Sequence, residues 1–136
     1  MSMERDARIY IAGQQTLIGA ALVRTLAREG FTSIILEEPD QPDLTRAEAT
    51  EAWLTRTAPE YLVVAGGRSG GILANVRYPA TLMRENLLVA SHLIEGAFRH
   101  GVKKLLYLGS SCVYPRVSPQ PIPVEALLTG PVVGGG

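Results

Sequence analysis

The strongest constraint on the fold is an alternation repeated along the chain. Four short runs, IYIA (9–12), TSIILE (32–37), YLVVA (61–65) and KLLYLG (104–109), are nearly continuous in apolar residues, and helical patterns separate them. A strand with one wet face alternates apolar and polar residues. Uniformly apolar strands need cover on both faces, which a parallel sheet with crossover helices supplies. The order strand, helix, strand, helix, strand, helix, strand therefore predicts right-handed crossover units. The expected fold class is α/β, a Rossmann-type doubly wound parallel sheet truncated after about four strands, with the order 3-2-1-4 of the dinucleotide-binding pattern. In that order strands 1 and 4 are neighbours, and residues 13–19 and 109–114 border one crevice.

The helical segments carry their own punctuation. Residues 18–29 place Leu22, Val23 and Leu26 on one side, and Gly30 is suited to a left-handed cap. Thr45 with Glu48 has the spacing of a capping box, and Pro59 ends the helix that follows. After Pro79, Leu82, Asn86, Val89, Ala90, Leu93 and Ala97 recur at helical spacing up to Gly101. From residue 115, prolines at 115, 119, 121 and 123 predict an irregular segment, 115–136, in which EALLTG forms at most a short turn. A sheet that stops at its fourth strand exposes an edge. Residues 1–136 are accordingly expected to be the N-terminal portion of a nucleotide-cofactor-binding domain, with the remainder of that domain and a substrate lobe absent.

Composition narrows the function. With 46% hydrophobic and 19% charged residues, the chain is globular rather than disordered or membrane-spanning. Thirteen basic residues balance thirteen acidic ones, which argues against a nucleic-acid or anionic-membrane partner. Cys112 is the only cysteine and the N-terminus shows no targeting segment, so a reducing, cytoplasmic location is expected. HExxH, paired CxxC motifs and a His/Asp cluster are all missing, so no metal site is expected. GQQTLIG also lacks the terminal Gly-Lys-Ser/Thr of a nucleoside-triphosphatase phosphate loop.

The stretch IYIAGQQTLIGAAL joins the first strand to a glycine turn and a helix start. Backbone N–H groups at a helix start attract phosphate where side chains leave room. This makes Gly13, Gln15, Thr16, Leu17, Ile18 and Gly19 the candidate pyrophosphate-binding residues. Thr16 replaces a glycine, and its side chain would either crowd the pyrophosphate or donate to it. Glu37, at the end of strand 2, is the candidate ribose-binding acid, with Glu38 as its substitute. Gly66 and Arg68, in GGRSGGI, are further cofactor-binding candidates, and Gly70 and Gly71 are candidates to line the substrate. In LGSSCVYP, Ser110 and Ser111 can hydrogen-bond a substrate oxygen and Cys112 can move a proton. The same residues are also compatible with ordinary strand termination and a small buried thiol. Asn86 interrupts an apolar helix face and is read as a tie to neighbouring backbone.

Taken together, GQQTLIGAALVRTL, GGILANVRYPATLMRENLLVASHLIEGAFRHGVKKLLYLGSSCVYP and QPIPVEALLTGP resemble the amino-terminal part of the GDP-L-fucose synthase (GDP-4-keto-6-deoxy-D-mannose epimerase/reductase) family of extended short-chain dehydrogenases/reductases. The resemblance runs from Ile9 to Pro131. It implies epimerisation of a nucleotide-linked keto sugar, GDP-4-keto-6-deoxy-D-mannose, followed by reduction with hydride from NADP or NAD to give GDP-L-fucose. It assigns Ser110 to the keto oxygen, Cys112 to proton exchange, and a homodimer to the complete protein. The family's Tyr-x-x-x-Lys pair, and the histidine that partners the cysteine, would lie beyond Pro131. The 136 residues alone are therefore not expected to complete the reaction.

Two departures bear on the cofactor. The family turn reads GHRGMVG where this chain has Gln14, Gln15 and Thr16, and Glu37 and Glu38 stand where relatives place basic residues suited to the extra phosphate of NADP. NAD is therefore expected to be favoured, or cofactor binding to be weakened. The alternatives are another NAD-dependent sugar-nucleotide epimerase or dehydratase, and a nonenzymatic nucleotide-binding module.

Overall fold

The structure, a computed structural model, describes residues 3–37 and 39–132. Its elements are β1 (Ile9–Ala12), α1 (Leu17–Arg28), β2 (Ile34–Ile35), α2 (Ala47–Thr57), β3 (Tyr61–Val64), α3 (Gly71–Arg77), α4 (Pro79–Arg99) and β4 (Lys104–Tyr107). Short 3-10 turns follow at Ser111–Val113 and Val124–Ala126. All strand pairs are parallel, with Ile9 opposite Tyr61 and Tyr61 opposite Lys104. This is a Rossmann-type sheet of four strands. Among the described residues no helix is long and apolar enough to cross a membrane.

The core lies on both faces of β1. Tyr10 and Ala12 point to one side, where Trp53 and Leu54 of α2 and Leu93 and Ala97 of α4 close over them. Ile9 and Ile11 point to the other, against Leu22, Val23 and Leu26 of α1. This two-sided cover explains why β1 is wholly apolar. Leu54 is fully buried, worth roughly 1.5–3 kcal/mol for a side chain of its size. α2 and α4 approach closely because Gly96 has no Cβ, which would overlap Leu54 Cδ1.

The strand order is β2-β1-β3-β4, which corrects the expected 3-2-1-4. Handedness supplies the reason. A right-handed crossover puts its helix on one face when the chain moves one way along the sheet and on the opposite face when it moves back. α1 covers one face as the chain passes from β1 to β2, while α2 covers the other, so the chain has reversed and β3 lies beyond β1. α4 shares the face of α2, and β4 continues in that direction. β2 has only two half-buried residues and ends the sheet, whereas Leu62 and Val64 of β3 are buried as a central strand requires. The winding therefore reverses between β1 and β3 rather than between strands 1 and 4.

β4 is the other edge. Leu106 and Tyr107 are 49% and 47% exposed, so the open edge expected after the fourth strand is present. The segment after residue 115 is irregular, tied back by a bridge between Pro115 and Val132 and by Arg116 N–H donating to the Pro131 carbonyl at 3.0 Å.

Two local expectations change. Thr45 does not cap α2: its N–H and hydroxyl both donate to Asp43 Oδ1, at 3.0 and 2.6 Å, and the helix starts after Arg46 with no side-chain cap. An Asx turn has captured the hydroxyl. The structure also adds α3, a helix not among the expected elements, which Gly71 of GGRSGGI begins.

Candidate functional site: a cleft at the carboxyl edge of the sheet

The turn after β1 is shaped by contacts that allow no side chain. Gly13 leaves the strand with φ +90°, and a Cβ there would stand 2.9 Å from Gly66 Cα in the loop after β3. A Cβ on Gly19, in the first turn of α1, would overlap the Gly13 carbonyl oxygen. Thr16 resolves the ambiguity of its sequence position. Its hydroxyl donates to the Gly13 carbonyl at 2.8 Å and accepts from Gly19 N–H at 3.0 Å, capping α1. Its methyl turns toward the β3 loop, where a Cβ on Gly66 would lie 2.7 Å from Thr16 Cγ2. The hydroxyl is spent within the protein. The N–H groups of Leu17 and Ile18 precede any intrahelical acceptor and have no partner among the described residues.

Beside this turn lies a cleft of about 460 Å³ lined by Gly13, Thr16, Glu37, Gln41, Pro42, Asp43, Leu44, Gly66, Gly67, Arg68 and Val89. The reversal of winding between β1 and β3 creates it, and open α/β sheets bind ligands at such a reversal. Glu37 is 2% exposed. Its Oε1 accepts from the Tyr10 hydroxyl at 2.9 Å and from Gly13 N–H at 3.4 Å, while Oε2 is buried with no partner among the described residues. Burial, the Glu37 charge and the hydrogen bond to Glu37 together push the Tyr10 phenol far above its ordinary range, so it remains a donor. Gln14 binds the end of β2 from both sides: its Nε2 donates to the Ile35 carbonyl at 2.6 Å, and its Oε1 accepts from Glu37 N–H at 3.3 Å. Glu38 lies outside the described residues.

The charges on the rim are unequal. Thr45, through its hydroxyl and then its backbone N–H, holds the Asp43 carboxyl below its ordinary value and hence ionised. Arg68 faces the cleft, but its Nη1 is 2.7 Å from both carboxylate oxygens of Glu85, whose hydrogen bonds and charge keep the guanidinium protonated. Asn86 pins the same loop, its Oδ1 accepting from Arg68 N–H at 2.8 Å and its Nδ2 donating to the Arg68 carbonyl at 2.9 Å. The reading of Asn86 as a backbone tie agrees with this geometry.

The second group of candidates stands apart from the cleft lining but on the same edge of the sheet. Because the strands are parallel, Gly13 and Cys112 both follow carboxyl ends, and β3 separates their strands. Two interstrand steps are roughly 10 Å. Ser110 Oγ accepts from Cys112 N–H at 3.2 Å, starting the 3-10 turn, and Cys112 is an exposed free thiol rather than a buried one. Ser110 and Ser111 are exposed as well. Gly70 and Gly71 stand at the start of α3, outside the lining of the cleft. Gln15 accepts from Gln41 Nε2 at 3.3 Å on the rim. Both histidines are engaged elsewhere, His92 with the Leu44 carbonyl and His100 with Glu51, each at 3.0 Å.

Sequence reasoning gave no role to Tyr10, Asp43 or Glu85, and it named Gln14 only as a departure in the turn. Tyr10 was discoverable in principle: it pairs with Ile35, and a period of two puts Glu37 on the same face. Only the parallel register brings the two together.

Comparison with known proteins agrees with the fold. The chain matches the family described as "NAD dependent epimerase/dehydratase family" over residues 9–134. It is 45% identical to GDP-L-fucose synthase 1 of Arabidopsis thaliana over 93% of this chain and 39% of that protein. It is 46% identical to the GDP-L-fucose synthase of Sinorhizobium fredii over 92% of this chain and 40% of that protein. Among solved structures, the GDP-D-glycero-L-gluco-heptose synthase of Campylobacter jejuni, in the presence of NADPH, superposes with a TM-score of 0.88 at 32% identity, covering 96% of this chain and 38% of that one. The chain thus spans about 40% of the length of the curated relatives it matches.

Proposed function

The chain belongs to the NAD-dependent epimerase/dehydratase family, and on that premise we propose that it is the cofactor-binding part of a nucleotide-sugar epimerase/reductase that converts GDP-4-keto-6-deoxy-D-mannose to GDP-L-fucose. One observation carries the cofactor reading. The open N–H groups of Leu17 and Ile18 lie at the turn that borders the cleft, and Glu37, which lines the cleft, keeps a buried Oε2 without a partner among the described residues. The first suit a pyrophosphate and the second a ribose hydroxyl, so the residues fit a dinucleotide. When bound, the nicotinamide supplies a hydride for a sugar carbonyl. Glu37, with ionised Asp43 on the same rim, disfavours a 2′-phosphate, which supports NAD over NADP.

The chemistry assigned to this chain is proton movement. Ser110 Oγ holds the keto oxygen, and Cys112 Sγ exchanges the proton on the neighbouring carbon, whose charge that oxygen absorbs. Ser111, Gly70 and Gly71 border the sugar. The proton donor for the reduced carbonyl and most of the substrate contacts belong to the remainder of the protein, so this chain alone does not complete the reaction. The intact protein is a homodimer in this reading, supported by an exposed apolar stripe on α4 formed by Met83, Leu87, Ile94 and Phe98. A free, exposed thiol suits the reducing cytoplasm.

The test is turnover of GDP-4-keto-6-deoxy-D-mannose by the full-length protein, with Cys112→Ser beside it. Loss of epimerisation in the variant, with dinucleotide binding intact, is the expected result. Undiminished epimerisation removes Cys112 from the mechanism. The resemblance to a Campylobacter jejuni protein named for a GDP-linked heptose favours a second reading, a different GDP-sugar as substrate. Turnover of a GDP-heptose in preference to the deoxymannose derivative would select it.

A further inference from the structure

Among the described residues Glu37 is the only buried Asp, Glu, Lys, Arg or His. A carboxylate removed from water costs several kcal/mol unless donors replace the lost hydration. Its donors here come from β1 and the turn after it. The Tyr10 hydroxyl and Gly13 N–H both serve Oε1. Gln14 does not touch the carboxylate but clamps the backbone that carries it, at Ile35 and at Glu37 itself. Oε2 is buried with no donor among the described residues, and Glu37 is one of the residues that line the cleft. Such an oxygen is completed by a hydroxyl of whatever occupies the cleft and is opposed by a group that offers only acceptors and negative charge.

We infer that Tyr10 and Gln14 are positioning residues that hold Glu37 with Oε2 toward the cleft, so that the site accepts an adenosine ribose with a free 2′-hydroxyl and rejects one bearing a 2′-phosphate. This rests on the dinucleotide reading of the cleft proposed above. Tyr10 acts through Glu37: without its hydroxyl, Oε1 loses its nearest donor and the carboxyl is free to turn. A carboxyl turned away from the cleft no longer opposes a phosphate there. Gln14 acts through the backbone, because loss of its carboxamide frees the end of β2 to carry Glu37 away from the cleft.

The full-length protein, titrated with NAD and with NADP by calorimetry, tests the inference. The wild type is expected to bind NAD about tenfold tighter or more, the scale of one hydrogen bond to a charged group. Glu37→Gln removes most of that preference. Tyr10→Phe and Gln14→Ala each lower the NAD-to-NADP affinity ratio, and Tyr10→Phe combined with Glu37→Gln lowers it no further than Glu37→Gln alone. Glu37→Gln is the variant at greatest risk of misfolding. Tyr10→Phe keeps the ring and its 5.6 Å contact with Trp53, so it carries the test unaided. A damaged fold weakens both dinucleotides equally, whereas a positioning role moves their ratio. A wild type that prefers NADP, or a Tyr10→Phe protein with an unchanged ratio, overturns the inference and leaves the dinucleotide site standing. A wild type that binds neither dinucleotide overturns both.

Discussion

Gly13 and Gly66 meet where the sheet reverses its winding, so closely that a methyl group on Gly13 would stand 2.9 Å from Gly66 Cα. The contact joins the turn after β1 to the loop after β3 and forms the floor of the cleft. Thr16 completes it from the side of α1, with its methyl turned toward Gly66. The arrangement has little slack.

Gly66→Ala would bring the new methyl to 2.7 Å from Thr16 Cγ2. The overpacking is expected to cost about 1–3 kcal/mol, read by denaturant unfolding. Thr16→Ser keeps the hydroxyl that caps α1 and deletes the offending methyl, so the double variant should recover most of the loss. A double variant no more stable than Gly66→Ala would show that the strain lies elsewhere.

Asn86→Leu removes both hydrogen bonds that hold the Arg68 backbone. At about 1 kcal/mol each they are modest for stability, but they fix the loop that walls the cleft. Dinucleotide affinity of the full-length protein should fall by roughly tenfold, a difference of 1.4 kcal/mol, with the melting temperature changed little. Equal affinity in variant and wild type would mean that the loop needs no such anchor.

Phe98 is 88% exposed and Leu87 61% exposed on the same apolar stripe of α4. If that stripe is the contact between two copies, Leu87→Glu with Phe98→Glu should convert the full-length dimer to a monomer in sedimentation. Helical content should be unchanged, because neither side chain belongs to the core. A dimer that survives both charges would move the interface elsewhere.

At the opposite edge of the sheet, Glu60 accepts from Lys103 Nζ at 2.8 Å and from Arg8 N–H at 3.0 Å, and these contacts hold its carboxyl below the ordinary 4.5. A group whose pKa is depressed by folding stabilises fully above its unfolded value, and the contribution fades as the pH falls through the lower folded value. Glu60→Gln should therefore be less stable than wild type above pH 4.5, with the gap closing on further acidification, as followed by denaturant unfolding across that range. A gap that stays constant with pH would remove the ion pair as its cause.

The existence and type of the main elements were legible because they depend on local pattern. Continuous apolar runs marked β1, β3 and β4, and helical spacing marked α1, α2 and α4. Gly30 and Gly101 follow their helices with φ of +85° and +66°, as left-handed caps require. The family was legible too, since motifs such as GSSCVYP are strings of residues. α3 was missed because its glycine-rich start resembles a loop and none of its residues is buried to mark a face. The Thr45 cap failed because Asp43, two residues earlier, captured the same hydroxyl in an Asx turn that competes with the capping box.

The sequence by itself determined a parallel α/β sheet, a glycine turn suited to phosphate and a serine-cysteine pair at a strand end, all consequences of periodicity and backbone sterics within a few residues. Only the tertiary structure decided that β3 rather than β4 stands beside β1. It also decided that Thr16 spends its hydroxyl inside the turn, and that Glu37 is buried beneath Tyr10 with one oxygen unpaired. Those outcomes depend on which face each helix covers and on the register between strands, and both are settled by packing between residues far apart in the chain.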